Sequence, residues 1–206
     1  MVFDMVHLRT ADPASSGGFW LREGGRTFFL SGTDMEIIDC GEQYCEQIQA
    51  IFNEAIATST ALYDYAPRSR AVILEWFAAK RAGGFPVVGV VHEEGVLAGF
   101  GSYGTFRAWP AYKYTVEHSL YVAPGFRGQG IGRLLLAELI ERAGRQGFHL
   151  LVGGIDSQNT ASRELHRRFG FTHAGTIREA GFKFGRWLDL EFHQLLLPTP
   201  AEPMDG

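Results

Sequence analysis

Arg127-Gly128-Gln129-Gly130-Ile131-Gly132 is the stretch on which the reading of this chain turns. Ahead of it runs Thr115-Val116-Glu117-His118-Ser119-Leu120-Tyr121-Val122, apolar and rich in β-formers. Behind it Ile131, Leu134, Leu135, Leu139 and Ile140 recur at helical spacing, with Arg133, Glu138, Glu141 and Arg142 between them. A strand therefore feeds a glycine-rich turn that opens a helix. Glycines leave the backbone N–H groups uncovered, and the positive end of the helix adds to them, which makes a site for a phosphate or pyrophosphate. A Walker loop would end Gly-Lys-Ser/Thr, and this turn ends Gly-Ile-Gly-Arg. A Rossmann fingerprint needs its third glycine later than Gly132. A tight turn without a ligand is the remaining alternative.

The 206 residues suit one domain with a well-buried core. With 46% apolar and 13% aromatic residues the chain reads as globular rather than disordered. Its net charge of −4 argues against nucleic acid as a partner, since phosphate backbones demand a basic face. Cys40 and Cys45 fit no zinc or redox spacing and read as reduced, partly buried thiols. No metal site is expected. No apolar run reaches the length of a membrane span, and the N-terminus lacks a signal-peptide core, so a cytoplasmic protein without membrane contact is expected.

Residues 1–34 carry a loop-type run at 11–18 and no sustained periodicity; they are set aside as an N-terminal extension, disordered or reflecting a start assigned too early, with a genuine arm that packs on the domain as the alternative. Phe19-Trp20-Leu21 and Thr27-Phe28-Phe29-Leu30 are the segments in it able to pack. From Met35 the pattern predicts a strand to Cys40, helices over 43–58 and 69–82, and a strand pair at 87–91 and 96–103. A strand at 114–122 leads through the turn to a helix ending near Arg145. A short strand at 150–155 and a helix capped by Asn159 follow, then closing strands at 171–177 and 187–197. The domain thus spans 35–197, and 198–206 is a polar tail. This order gives an α+β domain with a mixed central sheet and helices on both faces.

Arg-x-x-Gly-x-Gly after a strand ending Tyr121-Val122-Ala123-Pro124 resembles the acyl-CoA loop of the GNAT acetyltransferase superfamily, and the element order matches the GNAT acyl-CoA N-acyltransferase fold. Three further blocks resemble its phosphinothricin acetyltransferase branch: Gly104 to Arg107 with Tyr112 to Val122, Gly154 to Asn159 continuing through Leu165-His166 and Phe169-Gly170-Phe171, and Lys183 to Asp189. Within that branch the wording is nearest to the methionine sulfoximine and methionine sulfone N-acetyltransferases. The resemblance implies acetyl-CoA as co-substrate, a small-molecule amine as acceptor and a homodimer. It places Ser119, Leu120, Tyr121, Arg127, Gly128, Gln129, Gly130, Ile131, Gly132 and Asn159 on the cofactor. The strand residues among them would offer backbone groups to the pantetheine amides, as an added strand would.

An amine arrives protonated and must lose a proton before it attacks a thioester, a task for a carboxylate near the acetyl carbon. The resemblance gives that task to Glu117; a solvent-facing strand glutamate is the alternative. His166 stands where many relatives carry a tyrosine that protonates the departing thiolate, and an imidazole titrating near neutrality suits the role; a packed helix histidine is the other reading. Arg107, with Phe106, Ala108, Tyr112, Val116, Glu117 and His118, is the candidate acceptor site, the guanidinium meeting a substrate carboxylate bidentately; a solvated arginine after the strand is the alternative. Tyr63 and Lys183 to Trp187 are read as acceptor-pocket or dimer residues. Trp109 stands where some phosphinothricin enzymes have a second basic residue, which shifts the expectation toward sulfoximine-type acceptors. A polyamine, aminoglycoside or protein N-terminus as acceptor, and a CoA-binding regulatory module without turnover, are the competing readings.

Overall fold

The computed structural model describes residues 19–23, 26–30, 35–92 and 95–205. Five strands come before the glycine turn's own: β1 (Phe19–Glu23), β2 (Arg26–Leu30), β3 (Met35–Asp39), β4 (Val87–His92) and β5 (Val96–Thr105). Then come β6 (Thr115–Val122), β7 (Leu150–Asp156), β8 (Thr172–Lys183) and β9 (Arg186–Leu196). Helices α1 (Cys45–Thr58) and α2 (Arg70–Ala82) lie between β3 and β4; α3 (Ile131–Arg145) follows β6, and α4 (Thr160–Arg168) follows β7. The strands form one sheet in the order β1-β2-β3-β4-β5-β6-β7-β9-β8, in which β6 and β7 pair in parallel and the other described pairs are antiparallel. The mixed sheet with helices on both faces agrees with the sequence reading.

Strand alternation decides which helix meets which residue. On β4, Val88 and Val90 face α3, while Val87 and Val91 face α1 and α2. Helix α3 lays Ile131, Leu135, Leu136, Leu139 and Ala143 on Val88, Val90, Ala98, Val116 and Leu151. Each fully buried leucine or isoleucine there contributes about 1.5–3 kcal/mol. On the other face Ile48, Ile51, Phe52 and Ala55 of α1 recur at helical spacing and meet Ile73 and Phe77 of α2. Phe52 sits edge-on to Trp76, Phe100 and Tyr121 with ring centres 4.8 to 5.6 Å apart. Ser69 caps α2 by accepting from the Val72 N–H, which fixes where the helix starts. Both cysteines are buried and free in this core, and burial pushes the Cys40 thiol up to about 12.

Three stretches differ from the sequence reading. Within the segment set aside as an extension, β1 and β2 form a hairpin that pairs onto β3 through Thr27↔Ile37 and Phe29↔Met35; residues 1–18 and 31–34 lie outside the described residues. Strand β8 runs on to Lys183 rather than ending near Ile177. It is a mostly exposed edge strand whose register shifts between His173 and Gly175 and again between Ile177 and Gly181, so no period-2 pattern survives to be read. A two-residue turn, Phe184-Gly185, joins it to β9 with φ of 51° and 73°, the geometry that suits a twisted hairpin. The tail has no regular element up to Asp205, yet it is tied back: Thr199 Oγ1 donates to the Phe148 carbonyl and Met204 N–H to the Tyr114 hydroxyl.

Candidate active site

The parallel pair β6–β7 runs only from Thr115↔Leu150 to His118↔Gly153. Beyond that point β6 stays paired to β5 as far as Val122, and β7 stays paired to β9 as far as Asp156. Each strand is thus held by its outer neighbour while the two part from one another. The gap between Ser119–Val122 and Gly154–Asp156 is a cleft of about 1020 Å³. It passes through the sheet: Tyr63, Tyr121 and Asp156 line it on the α1–α2 side, and His118, Leu120 and His166 on the α3–α4 side. Backbone groups along the parted edge of β6 are available to an extended chain of amides.

At one end the cleft is closed by the glycine turn. Gly128 and Gly130 have φ of 78° and 84°, a left-handed conformation that side-chain-bearing residues rarely adopt. Gly130 is the N-cap of α3, with no side chain capping the helix. A Cβ at either glycine would meet nothing within 4 Å, so the space over the turn is open and the first N–H groups of α3 face it. Arg133 and Arg168 add positive charge to the lining. The cofactor residues expected from sequence (Ser119, Leu120, Tyr121, Arg127, Gly128, Gly130, Ile131, Gly132 and Asn159) all line this cleft. Gln129 does not; its amide donates to the Gly125 carbonyl and braces the turn from outside. Arg127 also braces: its guanidinium donates to the Val122 carbonyl and pairs with Glu54 of α1 at 2.5 Å. Asn159 both lines the cleft and caps α4 by accepting from the Ser162 N–H.

Alternation along β6 puts Glu117 on the α1–α2 face, opposite Gly104 of β5. Burial raises its carboxyl above the ordinary value, and the Arg107 guanidinium opposes that. A Cβ on Gly154 would lie 3.2 Å from Glu117 Oε1, so the carboxylate leans over a bare stretch of β7 that borders the cleft. Beside it the expected acceptor residues gather: the Arg107 guanidinium lies 4.2 Å above the Phe106 ring, which meets Tyr112 at 5.7 Å and Phe192 of β9 at 6.4 Å. Ala108 is exposed in the same loop.

Two residues grouped with them in the sequence reading point elsewhere. Val116 packs into the core under α3, and His118 faces α4, because both occupy the alternate positions of the strand. His118 meets His166 instead, with 2.9 Å between the two Nε2 atoms. His118 Nδ1 lies 2.8 Å from the Val152 carbonyl and His166 Nδ1 lies 2.7 Å from the Ser162 carbonyl. Burial pulls the His118 imidazole down to about 3, aided by His166 and opposed by the Val152 carbonyl. Burial likewise lowers His166, against the Ser162 carbonyl. Glu117 and His166 therefore stand on opposite faces, with the cleft between them.

Asp156 went unassigned in the sequence, although its motif was singled out. It is buried at the mouth of the cleft and takes hydrogen bonds from Thr60 Oγ1, the Gln158 N–H and Arg186. Burial raises its carboxyl, but those three donors outweigh it and hold the group below the usual range. Lys183 is buried as a tie rather than a pocket residue: its ammonium donates to the carbonyls of Ser59 and Leu62, just after α1. Phe184 and Trp187 are exposed at the hairpin tip. Among the described residues no cluster of three or more His, Cys, Asp or Glu is arranged to hold a metal ion, and no helix is long and apolar enough to cross a membrane.

Comparison with known proteins identifies this arrangement. The L-methionine sulfoximine/L-methionine sulfone acetyltransferase of Salmonella typhimurium is 43% identical over 159 residues, covering 77% of this chain and 92% of the relative. An N-acetyltransferase from Staphylococcus aureus superposes with a TM-score of 0.77 at 42% identity, over 79% of this chain and 98% of that one. The phosphinothricin acetyltransferase of Sinorhizobium meliloti in complex with acetyl-CoA gives 0.79 at 34%, over 82% and 93%. A model of the acetyltransferase (GNAT) family matches residues 48–171. A parted parallel strand pair with a glycine turn at its end, and relatives of this identity and coverage, lead to one conclusion: the chain belongs to the acetyltransferase (GNAT) family and is an N-acetyltransferase.

Proposed function

We propose that the enzyme moves acetyl from acetyl-CoA to the α-amine of a small amino-acid analogue of the methionine sulfoximine, methionine sulfone or phosphinothricin type, by direct attack. The observation that carries this is the cleft, lined by His118 and His166 on one face, with Glu117 beside its bare Gly154 wall on the other and the Arg107 guanidinium acting on that carboxyl. Relatives with these acceptors in their names support the substrate class. The uncovered N–H groups of the turn would hold the pyrophosphate, and the free edge of β6 at Ser119 to Tyr121 the pantetheine amides. When bound, the cofactor supplies an acetyl thioester.

Glu117, whose carboxyl burial raises and the Arg107 guanidinium lowers, accepts the proton that the ammonium of the acceptor must shed. Arg107 pairs with the acceptor's carboxylate, which orients the amine toward the cleft and disfavours polycationic acceptors. In becoming an amide the ammonium loses two protons. One is balanced by protonation of the departing sulfur, which we assign to His166, and the other leaves to solvent. Neither cysteine serves as an acyl carrier, since both lie in the core under α1. A homodimer and a cytoplasmic setting complete the reading; the exposed Phe182, Phe184 and Trp187 at the β8–β9 hairpin support the first, and the two buried free thiols the second.

The test is release of free CoA, followed with a thiol reagent, over methionine sulfoximine, methionine sulfone, phosphinothricin, spermidine and an aminoglycoside. Turnover confined to the amino-acid analogues, and lost when their carboxylate is converted to an amide, is the expected result. Faster turnover with spermidine, or indifference to the carboxylate, would overturn the acceptor assignment.

A further inference from the structure

We infer that His118 and His166 hold a single proton between their Nε2 atoms, so that His118 is a positioning residue that keeps His166 loaded for the leaving sulfur. The inference rests on the role proposed for His166. Counting hydrogens leads to it. Both Nδ1 atoms lie against backbone carbonyls, Val152 at 2.8 Å and Ser162 at 2.7 Å, and a carbonyl only accepts. Each Nδ1 must therefore carry a hydrogen. In two neutral rings that uses both hydrogens and leaves two lone pairs facing one another at 2.9 Å. Three contacts need three hydrogens, and two neutral imidazoles supply two. A third proton shared across the Nε2···Nε2 contact satisfies all of them and gives the pair one positive charge.

The surroundings hold the two rings in contact. Gly153 leaves the room for the contact: a Cβ there would stand 2.9 Å from His118 Cε1 and 3.1 Å from His166 Nε2. Phe171 closes one side of the pair, its ring centre 5.4 Å from His118 and 4.9 Å from His166. From β9, His193 faces His166 at 6.3 Å and hydrogen-bonds Glu191, which also pairs with Arg163 of α4; β7 presents only Val152 and Gly153. Ser162 Oγ stands 3.4 Å from His166 Nδ1, too far to replace the carbonyl contact. Burial lowers both imidazoles, so desolvation opposes any charge on the pair and the third contact has to offset it; a second charge would add mutual repulsion to that cost. A single neutral imidazole bonded through Nδ1 to Ser162 O has no proton on Nε2 to give. The shared proton supplies one, passing to sulfur as the S–C bond breaks and leaving the pair neutral until solvent returns it.

The test is nitrogen-15 NMR of the histidine rings in the full-length protein near neutral pH. Expected are two protonated Nδ1 resonances and two Nε2 resonances of intermediate character that titrate together. One ring protonated only on Nε2, with the other neutral, would overturn the inference, and this readout does not depend on turnover. In His118→Asn the amide still reaches the Val152 carbonyl but the shared contact is gone. His166 should then appear neutral, and kcat should fall ~100-fold, the lower end of the range for general acids, with KM for acetyl-CoA within about twofold. An unchanged His166 spectrum in a folded His118→Asn protein would also overturn it. If no amine supports CoA release while the wild-type rings show the shared proton, the proposed function fails and the pairing stands.

Discussion

Replacing Glu117 by glutamine tests the chemistry most directly, because the side chain keeps its size where space is fixed. Its Oε1 lies near the bare Gly154 backbone, and an amide of the same shape fits there, so the fold and the cleft should be intact. The variant cannot accept a proton. General-base catalysis contributes typically ~10²–10⁴-fold, equivalent to about 2.7–5.4 kcal/mol of barrier. Turnover of methionine sulfoximine near neutral pH should fall by that order, while KM for acetyl-CoA stays within about twofold. The pH profile carries the stronger signature. Burial raises the Glu117 carboxyl, so the acid limb of wild-type kcat/KM should lie above the ordinary glutamate value of ~4.3. In the variant that limb is replaced by a rise of about tenfold per pH unit, as solvent alone delivers free amine. Steady-state kinetics from pH 5 to 9, with circular dichroism to check folding, would decide it. Turnover within a few-fold of wild type between pH 7 and 9 would refute Glu117 as the base.

Two further outcomes follow from the turn and the sheet edge. Gly130→Val should raise KM for acetyl-CoA at least tenfold, because its side chain fills the open space over the turn; the φ of 84° should also cost about 1–3 kcal/mol, read as a lowered Tm. Deleting residues 1–34 should leave acetyl transfer unchanged, since β2 meets only the far edge of the sheet at β3, three strands from β6. Loss of the β2–β3 pairs should lower Tm by a few degrees in a thermal melt; lost activity would show that the segment reaches the cleft.

Much of the fold was legible because its signals are local. The glycine turn, the periodicity of α3, and the cap at Asn159 each need only a few neighbouring residues to be recognised. Most of the cleft lining that β6 and the glycine turn supply was legible for the same reason. The parting of β6 and β7 was not legible, because it depends on where three other strand pairings stop. The contact between His118 and His166, 48 residues apart, is equally nonlocal. One error had its signal in plain view: alternation along Thr115 to Val122 already separates Glu117 from Val116 and His118, so all three could not turn side chains to one acceptor. The β1–β2 hairpin was missed because its short strands are flanked by Gly- and Ser-rich sequence that reads as loop.

That same alternation has a consequence for how such an enzyme diversifies. Along one strand, 117 faces the acceptor side while 116, 118 and 120 face α3 and α4. Neighbours in sequence are thereby strangers in space, separated by the thickness of the sheet. Substitutions on the two faces share few partners, and their effects should add rather than interfere. Under the proposed function, a lineage or a laboratory selection can therefore rework the residues around Phe106, Arg107 and Tyr112 for a new amine while the His118–His166 contact on the other face is inherited unaltered.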